Sequence, residues 1–122
     1  MKITLPLPPN MANSRMHWRV KNRKRKAYFE ECDLSAAIEV ALKNPLLYAD
    51  PLPRIKLKAT IYCGGRMDHD NAIARLKWPV DWMVGAGVLE GDKPSQLEWY
   101  WPIEQVVKRK QEYRVEFELE AV

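Results

Sequence analysis

Arg66-Met67-Asp68-His69-Asp70-Asn71 joins a strand-like stretch to a helix-like one. Before it, apolar and polar residues alternate from Arg54 to Cys63, which predicts a half-buried strand, and Gly64-Gly65 predicts a turn. Because the backbone changes there from extended to helical, the carboxylates of Asp68 and Asp70 can converge on one small volume. Such a volume suits Mg²⁺, which takes oxygen ligands and is commonly held by one or two carboxylates plus substrate phosphate.

A third acid, Asp92, follows the helix-like segment in the turn Glu90-Gly91-Asp92-Lys93-Pro94. We expect the chain to return there to the same end of the sheet, so that Asp92 joins the other two carboxylates. The alternative for the motif is helix capping, because Asp and Asn at a helix start accept hydrogen bonds from free backbone N–H groups. His69 is expected at the surface and not as a ligand. Zinc is discounted, because the cysteines and histidines lack the spacing of zinc sites.

The hydrophobic pattern predicts one α+β domain over residues 1–122, with a mixed sheet of about four strands and two main helices in the order β-α-β-α-β-β. Besides the strand that ends at Cys63, the predicted elements are strands at Lys2–Leu7, Gln96–Trp101 and Tyr113–Ala121 and helices at Ala27–Lys43 and Ala72–Met83. Pro79 predicts a kink or a break in the second helix.

Apolar side chains in both helices indicate which faces are buried. In the first helix, Tyr28, Cys32, Ala36 and Val40 form one stripe, and Leu34, Ile38 and Leu42 form a second beside it, so we expect a broad buried face. In the second helix, Trp78 and Trp82 are expected in the core or a dimer interface, with nucleobase stacking as the alternative. Cys32 and Cys63 are expected as small buried residues without a disulfide.

A basic stretch precedes the first helix and contains no acid: Arg15, Arg19, Lys21, Arg23, Lys24, Arg25 and Lys26. Phosphate neutralisation along a nucleic acid is the use we favour for it, and a solvated helix start is the alternative. Because like charges at this density repel, we expect the stretch to be mobile or only loosely helical. The loop Lys108-Arg109-Lys110 is a further place where DNA could be contacted.

The net charge of +4 hides two unlike halves. Residues 1–66 carry thirteen Lys and Arg against five Asp and Glu, whereas residues 67–122 carry seven against eleven. A basic half beside an acidic site suits a metal-dependent enzyme that acts on a polyanion. Because the sequence has neither a membrane-length apolar run nor a signal-peptide pattern, we expect a soluble cytoplasmic protein with no membrane partner.

The ordered set of strand, Asp-x-Asp-Asn, helix, Gly-hydrophobic turn and a further Asp before a strand resembles the RusA family of Holliday junction resolvases. Ile3–Asn10, with Pro8-Pro9, resembles that family's first strand and Pro-Pro loop, so the likeness covers nearly the whole chain. It implies a RusA-like endonuclease domain that acts as a homodimer on four-way DNA junctions. It further implies that Asp68, Asp70 and Asp92 bind Mg²⁺, or Mn²⁺ in its place, without an organic cofactor. The expected location is the nucleoid of a bacterial or phage-infected cell.

This chain departs from the family in the helix after the motif. The family often has a lysine four residues after the second Asp, and here that position is Ala74. Arg75 and Lys77 are the nearest substitutes, and we expect one of them to act as the catalytic cation, with Arg66 among the DNA-binding residues. The departure leaves a second function open, namely a DNA-binding protein with the same fold that has lost cleavage.

Overall fold

A mixed sheet forms the centre of the fold. The computed structural model describes residues 1–10, 17–41 and 50–122 of the chain. In these residues the sheet has five strands: β1 (Lys2–Leu5), β2 (Ile55–Cys63), β3 (Leu97–Trp99), β4 (Glu104–Val107) and β5 (Arg114–Ala121). The strand order is β1-β5-β2-β3, and β4 also pairs with β2. The predicted α+β class with a mixed sheet is confirmed, although β4 was not predicted.

The longest strand, β2, pairs with three of the other four strands in the described residues. β5 runs antiparallel to β1 and to β2. β3 and β4 both run parallel to β2, with Leu97 opposite Ile55 and Glu104 opposite Thr60. Together β3 and β4 form an edge strand that is interrupted by the cis peptide between Trp101 and Pro102. β3 ends at Trp99, two residues before the predicted end at Trp101, and pairing resumes in β4 along the second half of β2.

Helices cover one face of this sheet. Alternate residues of β2, from Ile55 to Cys63, are buried under them, whereas the residues between are only partly buried. Cys32 and Cys63 are both buried and free, as predicted. The other face of the sheet carries charged side chains, including the ion pair between Arg114 and Glu116. None of the helices in the described parts of the chain has the length and apolarity needed to cross a membrane.

The first helix, α1 (Trp18–Ala41), begins nine residues before its predicted start. The expectation of a mobile or loosely helical basic stretch is therefore wrong for residues 18–26. Lys and Arg are good helix formers, and extending a helix that is already packed avoids the cost of nucleation. Arg25 also lies 3.6 Å from Asp81 and 4.3 Å from the Phe29 ring, which relieves part of the repulsion. Arg15 lies outside the described residues.

Only one of the two predicted stripes of α1 is buried. Tyr28 and Cys32 are buried, but Leu34 and Ile38 are 71% and 65% exposed. α1 lies along β1, with the Tyr28 hydroxyl donating to the carbonyl of Pro6 at 2.8 Å. Because β1 is the outermost strand, the second stripe extends past the sheet, and the predicted broad buried face is wrong. The Val40 side chain, Leu42 and Lys43 lie outside the described part.

The second predicted helix is two helices, α2 (His69–Arg75) and α3 (Lys77–Gly85). Pro79 explains the break, because it has no N–H to donate to the carbonyl of Arg75 and its ring would clash with that carbonyl. The predicted break is confirmed, and it falls at Leu76. Trp78 and Trp82 are both buried, and the Trp82 indole donates to the Asp33 carboxylate at 2.9 Å. The pair therefore belongs to the core and offers little to an interface.

Candidate functional site

The chain reaches the Asp-x-Asp motif by folding back along β4. After β2 it passes Gly64, where a Cβ would overlap the Tyr113 hydroxyl, so a larger residue would require the Tyr113 side chain to move. The N–H of Met67 then donates to the side-chain oxygen of Gln105 at 2.8 Å, and the Gln105 amide donates back to the Met67 carbonyl at 3.0 Å. This amide clamp fixes the residue just before Asp68 against β4.

His69 secures the start of α2 against the same edge. Its Nε2 accepts the N–H of Ile103 at 3.3 Å, and its ring meets the edge of Trp101 at 5.5 Å between centroids. Trp101 in turn stacks on Trp99 at 5.9 Å. His69 is exposed, as predicted, and its Nε2 is occupied by backbone. These contacts fix the start of α2, so His69 positions the motif.

The carboxylates of Asp68 and Asp70 are exposed and have no protein partner in the described part of the chain. Asp68 occupies the N-cap position of α2, yet its side chain makes no capping hydrogen bond. Asp70 lies in the first turn, where the helix dipole favours a negative charge. Helix capping, the alternative for this motif, is therefore not how Asp68 uses its carboxylate. Both side chains are accessible to a cation from solvent.

Asp92 lies near a different part of the sheet. The N–H of Glu90 donates to the carbonyl of Leu52 at 3.0 Å, and the N–H of Ile55 donates to the carbonyl of Gln96 at 3.0 Å. These bonds tie the segment around Asp92 to the beginning of β2. A chain that leaves β2 and returns as the parallel β3 has to cross back to the starting end of β2. This differs from the expectation that Asp92 joins the motif's end of the sheet.

The two acidic segments are thus anchored beside different halves of β2. Asp92 is anchored near Ile55, whereas Asp68 follows the clamp to Gln105, which pairs with Ile61. Extended chain between those two anchor points spans about 20 Å. No group of three or more His, Cys, Asp or Glu side chains arranged to hold a metal occurs among the described residues. The structure brings Asp68 and Asp70 to one helix start and leaves Asp92 apart.

Arg75, the last residue of α2, and Lys77, the first residue of α3, are the predicted catalytic cations. The Nε of Arg75 donates to the carbonyl of Pro8 at 2.9 Å, and partial burial lowers the pKa of the guanidinium. Lys77 is exposed and stands 3.8 Å from the Asp81 carboxylate. About 8 Å of helix separates Asp70 from Arg75 at 1.5 Å per residue. Within the described residues, neither cation forms an ion pair within 4.0 Å with Asp68 or Asp70.

The predicted DNA-binding residues lie mostly in the first half of α1. Those of α1 that are exposed are Arg19, Lys21, Arg23, Lys24 and Lys26, and Arg66 is exposed just before the motif. Arg25 is only partly exposed, because it contacts Asp81 and the Phe29 ring. Lys108, Arg109 and Lys110 are exposed after β4, as expected for a loop.

Sequence reasoning missed the contribution of β4 to this site. Gln105 was not singled out, and the interruption at Pro102 hid the strand that carries it. The usable signal was the β-branched pair Val106-Val107, but β4 has four residues and no clear alternation. No protein-family model and no curated protein matches this chain, so its function has to be argued from its residues and their placement.

Proposed function

We propose that this chain is a divalent-metal-dependent endodeoxyribonuclease that resolves four-way DNA junctions and related branched DNA by phosphodiester hydrolysis. The observation that carries the proposal is the pair of exposed carboxylates, Asp68 and Asp70, at the start of α2 without a protein partner in the described residues. The resemblance of the ordered motif to the RusA family supports the choice of substrate.

The donor set fits a hard cation. Asp68 and Asp70 offer carboxylate oxygens, which Mg²⁺ and Mn²⁺ prefer, and both side chains reach solvent. A bound Mg²⁺ would supply an activated water and would neutralise charge at the phosphorus and at the leaving 3′ oxygen. The clamp between Met67 and Gln105 and the contact of His69 with Ile103 hold the two carboxylates on a fixed support. Rigid support of this kind is what a catalytic ligand set needs.

The basic half of α1 supplies the attraction for DNA. Its exposed lysines and arginines would neutralise backbone phosphates without reading sequence. Arg66, next to the motif, would extend the same positive surface toward the carboxylates. Binding by charge and selection by DNA shape suit an enzyme that acts on a branched structure.

The proposal includes a two-fold homodimer, because two equivalent strands are cut in a junction and closed two-fold dimers match such targets. Exposed apolar surface for a second copy is offered by Trp101, which is 56% exposed and lies between β3 and β4, at the same edge of the sheet as the motif and the Asp92 segment. In such a dimer, Asp92 of one copy would approach Asp68 and Asp70 of the other. That arrangement reconciles a three-carboxylate site with the separation found within one chain.

The second candidate is a DNA-binding protein with this fold that does not cleave. Two observations favour it, namely the separate anchoring of Asp92 and the alanine at position 74. The basic surface would serve either function equally well, so it does not discriminate between them.

Cleavage of a synthetic four-way junction separates the two candidates. The junction and a linear duplex of the same sequence are incubated with Mg²⁺, with Mn²⁺ and with a chelator, and binding is measured in parallel. The nuclease cuts the junction only when metal is present and leaves the duplex intact. Tight junction binding without cleavage in either metal would establish the non-catalytic candidate.

A further inference from the structure

A small cavity lies where α2 and α3 meet, away from the carboxylates of the motif. Its volume is about 220 Å³, and it is closed on one side by Pro8 and Pro9. Lys21 from α1, Arg75 from α2 and Lys77 from α3 line it, together with Ala74. No acid is among the described residues that line it. Cations from separate helices thus share one concave surface.

Arg75 is the strongest indication that this cavity binds an anion. Its guanidinium is partly buried, and only its Nε has a protein acceptor, the Pro8 carbonyl, among the residues that the structure describes. A guanidinium carries five N–H donors, so most of its donors remain available. No carboxylate within 4.0 Å pairs with it in the described part of the chain. A partly buried charge without a counter-charge is costly, and an anion in the cavity would remove that cost.

The other contributors are also under-compensated. Lys21 is exposed and has no ion pair within the described ranges. Lys77 shares the single carboxylate of Asp81 with Arg25, at 3.8 Å and 3.6 Å.

We infer that this cavity binds one phosphate group of a nucleic-acid strand. The identity of the polymer rests on the proposed function, whereas the anion chemistry rests on Lys21, Arg75 and Lys77. Arg75 lies about 8 Å from Asp70 along α2. A strand with one phosphate in the cavity would therefore present another phosphate, about two nucleotides along, to the carboxylates of the motif. The cavity would then set the register of the strand at the cleavage site.

Amide chemical shifts of the labelled protein test the inference in a chelating buffer, where no cleavage occurs. The probes are inorganic phosphate and a tetrathymidylate without terminal phosphates. Both are expected to shift the amide signals of residues 74–78. A response to inorganic phosphate alone would assign the cavity to a free anion and overturn the strand assignment. A response to neither probe would overturn the site itself.

Matched lysine pairs control for overall charge. Lys21→Ala with Lys77→Ala should weaken inorganic phosphate binding about tenfold, since two direct contacts are lost. Lys56→Ala with Lys58→Ala removes the same charge from the open face of the sheet, outside the cavity, and should leave phosphate binding nearly unchanged. Equal weakening by both pairs would mean diffuse charge attraction, and the cavity would lose its role.

Substitutions at Ala74 change the charge of the cavity wall in either direction without removing a cation that lines the cavity. Ala74→Lys adds a cation to the cavity wall and should tighten phosphate binding, whereas Ala74→Glu should abolish it. The same affinities for both variants would contradict the inference. Phosphate binding at these residues in a protein that never cuts a junction would leave the cavity standing while the nuclease proposal fails.

Discussion

The carboxylate of Glu116 and the carboxylates of Asp68 and Asp70 differ in whether the fold supplies them with hydrogen-bond partners. On the open face of the sheet, Glu116 accepts hydrogen bonds from Arg114 at 2.8 Å and from Tyr62 at 3.0 Å, and the Arg114 bond is the main cause that lowers the pKa of Glu116. At the start of α2, Asp68 and Asp70 have no such partner in the described residues. Acids that the fold has already neutralised serve the folded state, whereas unpartnered acids on a fixed support are available to a cation from outside.

Neutralising an unpartnered acid should change activity far more than stability. Asp70→Asn keeps the shape of the side chain and removes its charge, so loss of a metal ligand should raise the cleavage barrier by several kcal/mol. Junction cleavage should fall by orders of magnitude, while junction binding without metal holds or rises because repulsion is reduced. Single-turnover cleavage and binding in chelator measure both. Cleavage as fast as that of the parent would remove the motif from the active site.

Mixing two inactive variants tests whether Asp92 acts across a dimer. Asp68→Asn and Asp92→Asn are each expected to be inactive, and refolding them together at equal amounts should restore about a quarter of the parent activity, through mixed dimers with one intact site. If Asp92 served its own chain, every chain in the mixture would be defective and nothing would recover. Sedimentation equilibrium supplies the control, with twice the 14.3 kDa chain mass expected.

Removing cations from α1 should have a smaller and uniform effect. Arg23→Ala with Lys24→Ala leaves Arg25 and its contact with Asp81 in place. Binding should weaken alike for all DNA sequences, and the slope of log K against log salt should flatten by about one unit per lost contact. Lys56→Ala with Lys58→Ala, on the open face of the sheet, is the charge-matched control. An unchanged slope in the first pair would assign the basic half of α1 to a solvated surface.

Neutralising the partnered acid should produce the smallest change. Because the folded-state pKa of Glu116 is lowered, its contribution to stability is present above the unfolded pKa of about 4.3 and is lost as the pH falls through the folded value. Glu116→Gln should therefore cost at most about 1 kcal/mol at pH 7 and almost nothing in strong acid, with cleavage unaffected. Urea unfolding at both pH values measures this. A larger cost in acid than at pH 7 would contradict the assignment.

The parts of the fold that follow from local pattern were predictable from the sequence. Alternation along Ile55–Cys63 and the missing N–H of Pro79 each determine structure through neighbours in the chain, so β2 and the helix break were anticipated. The exposure of Leu34 and Ile38 depends on where α1 lies relative to the outermost strand, which a helical periodicity does not encode. Burial of an amphipathic face needs a partner surface, and the sequence pattern only shows that a face exists.

The site was predictable in the same partial way. The free carboxylates of Asp68 and Asp70 follow from a strand-to-helix junction, which is a local feature. The position of Asp92 follows from the parallel pairing of β2 with β3, which joins residues far apart in the chain. The clamp from Gln105 is likewise a contact across 38 residues, with no marker in its own segment.

The early start of α1 bears on the thermodynamics of the proposed DNA binding. Since residues 18–26 are already helical in the free protein, association with DNA need not order this backbone, and the entropy cost that accompanies coupled folding is absent. We expect a small heat-capacity change on binding and no gain of helical signal in far-ultraviolet circular dichroism when DNA is added. In the proposed DNA complex, preorganisation of this kind would let the basic residues contribute their charge interactions at nearly full strength, and we expect rapid association that slows steeply as salt is added.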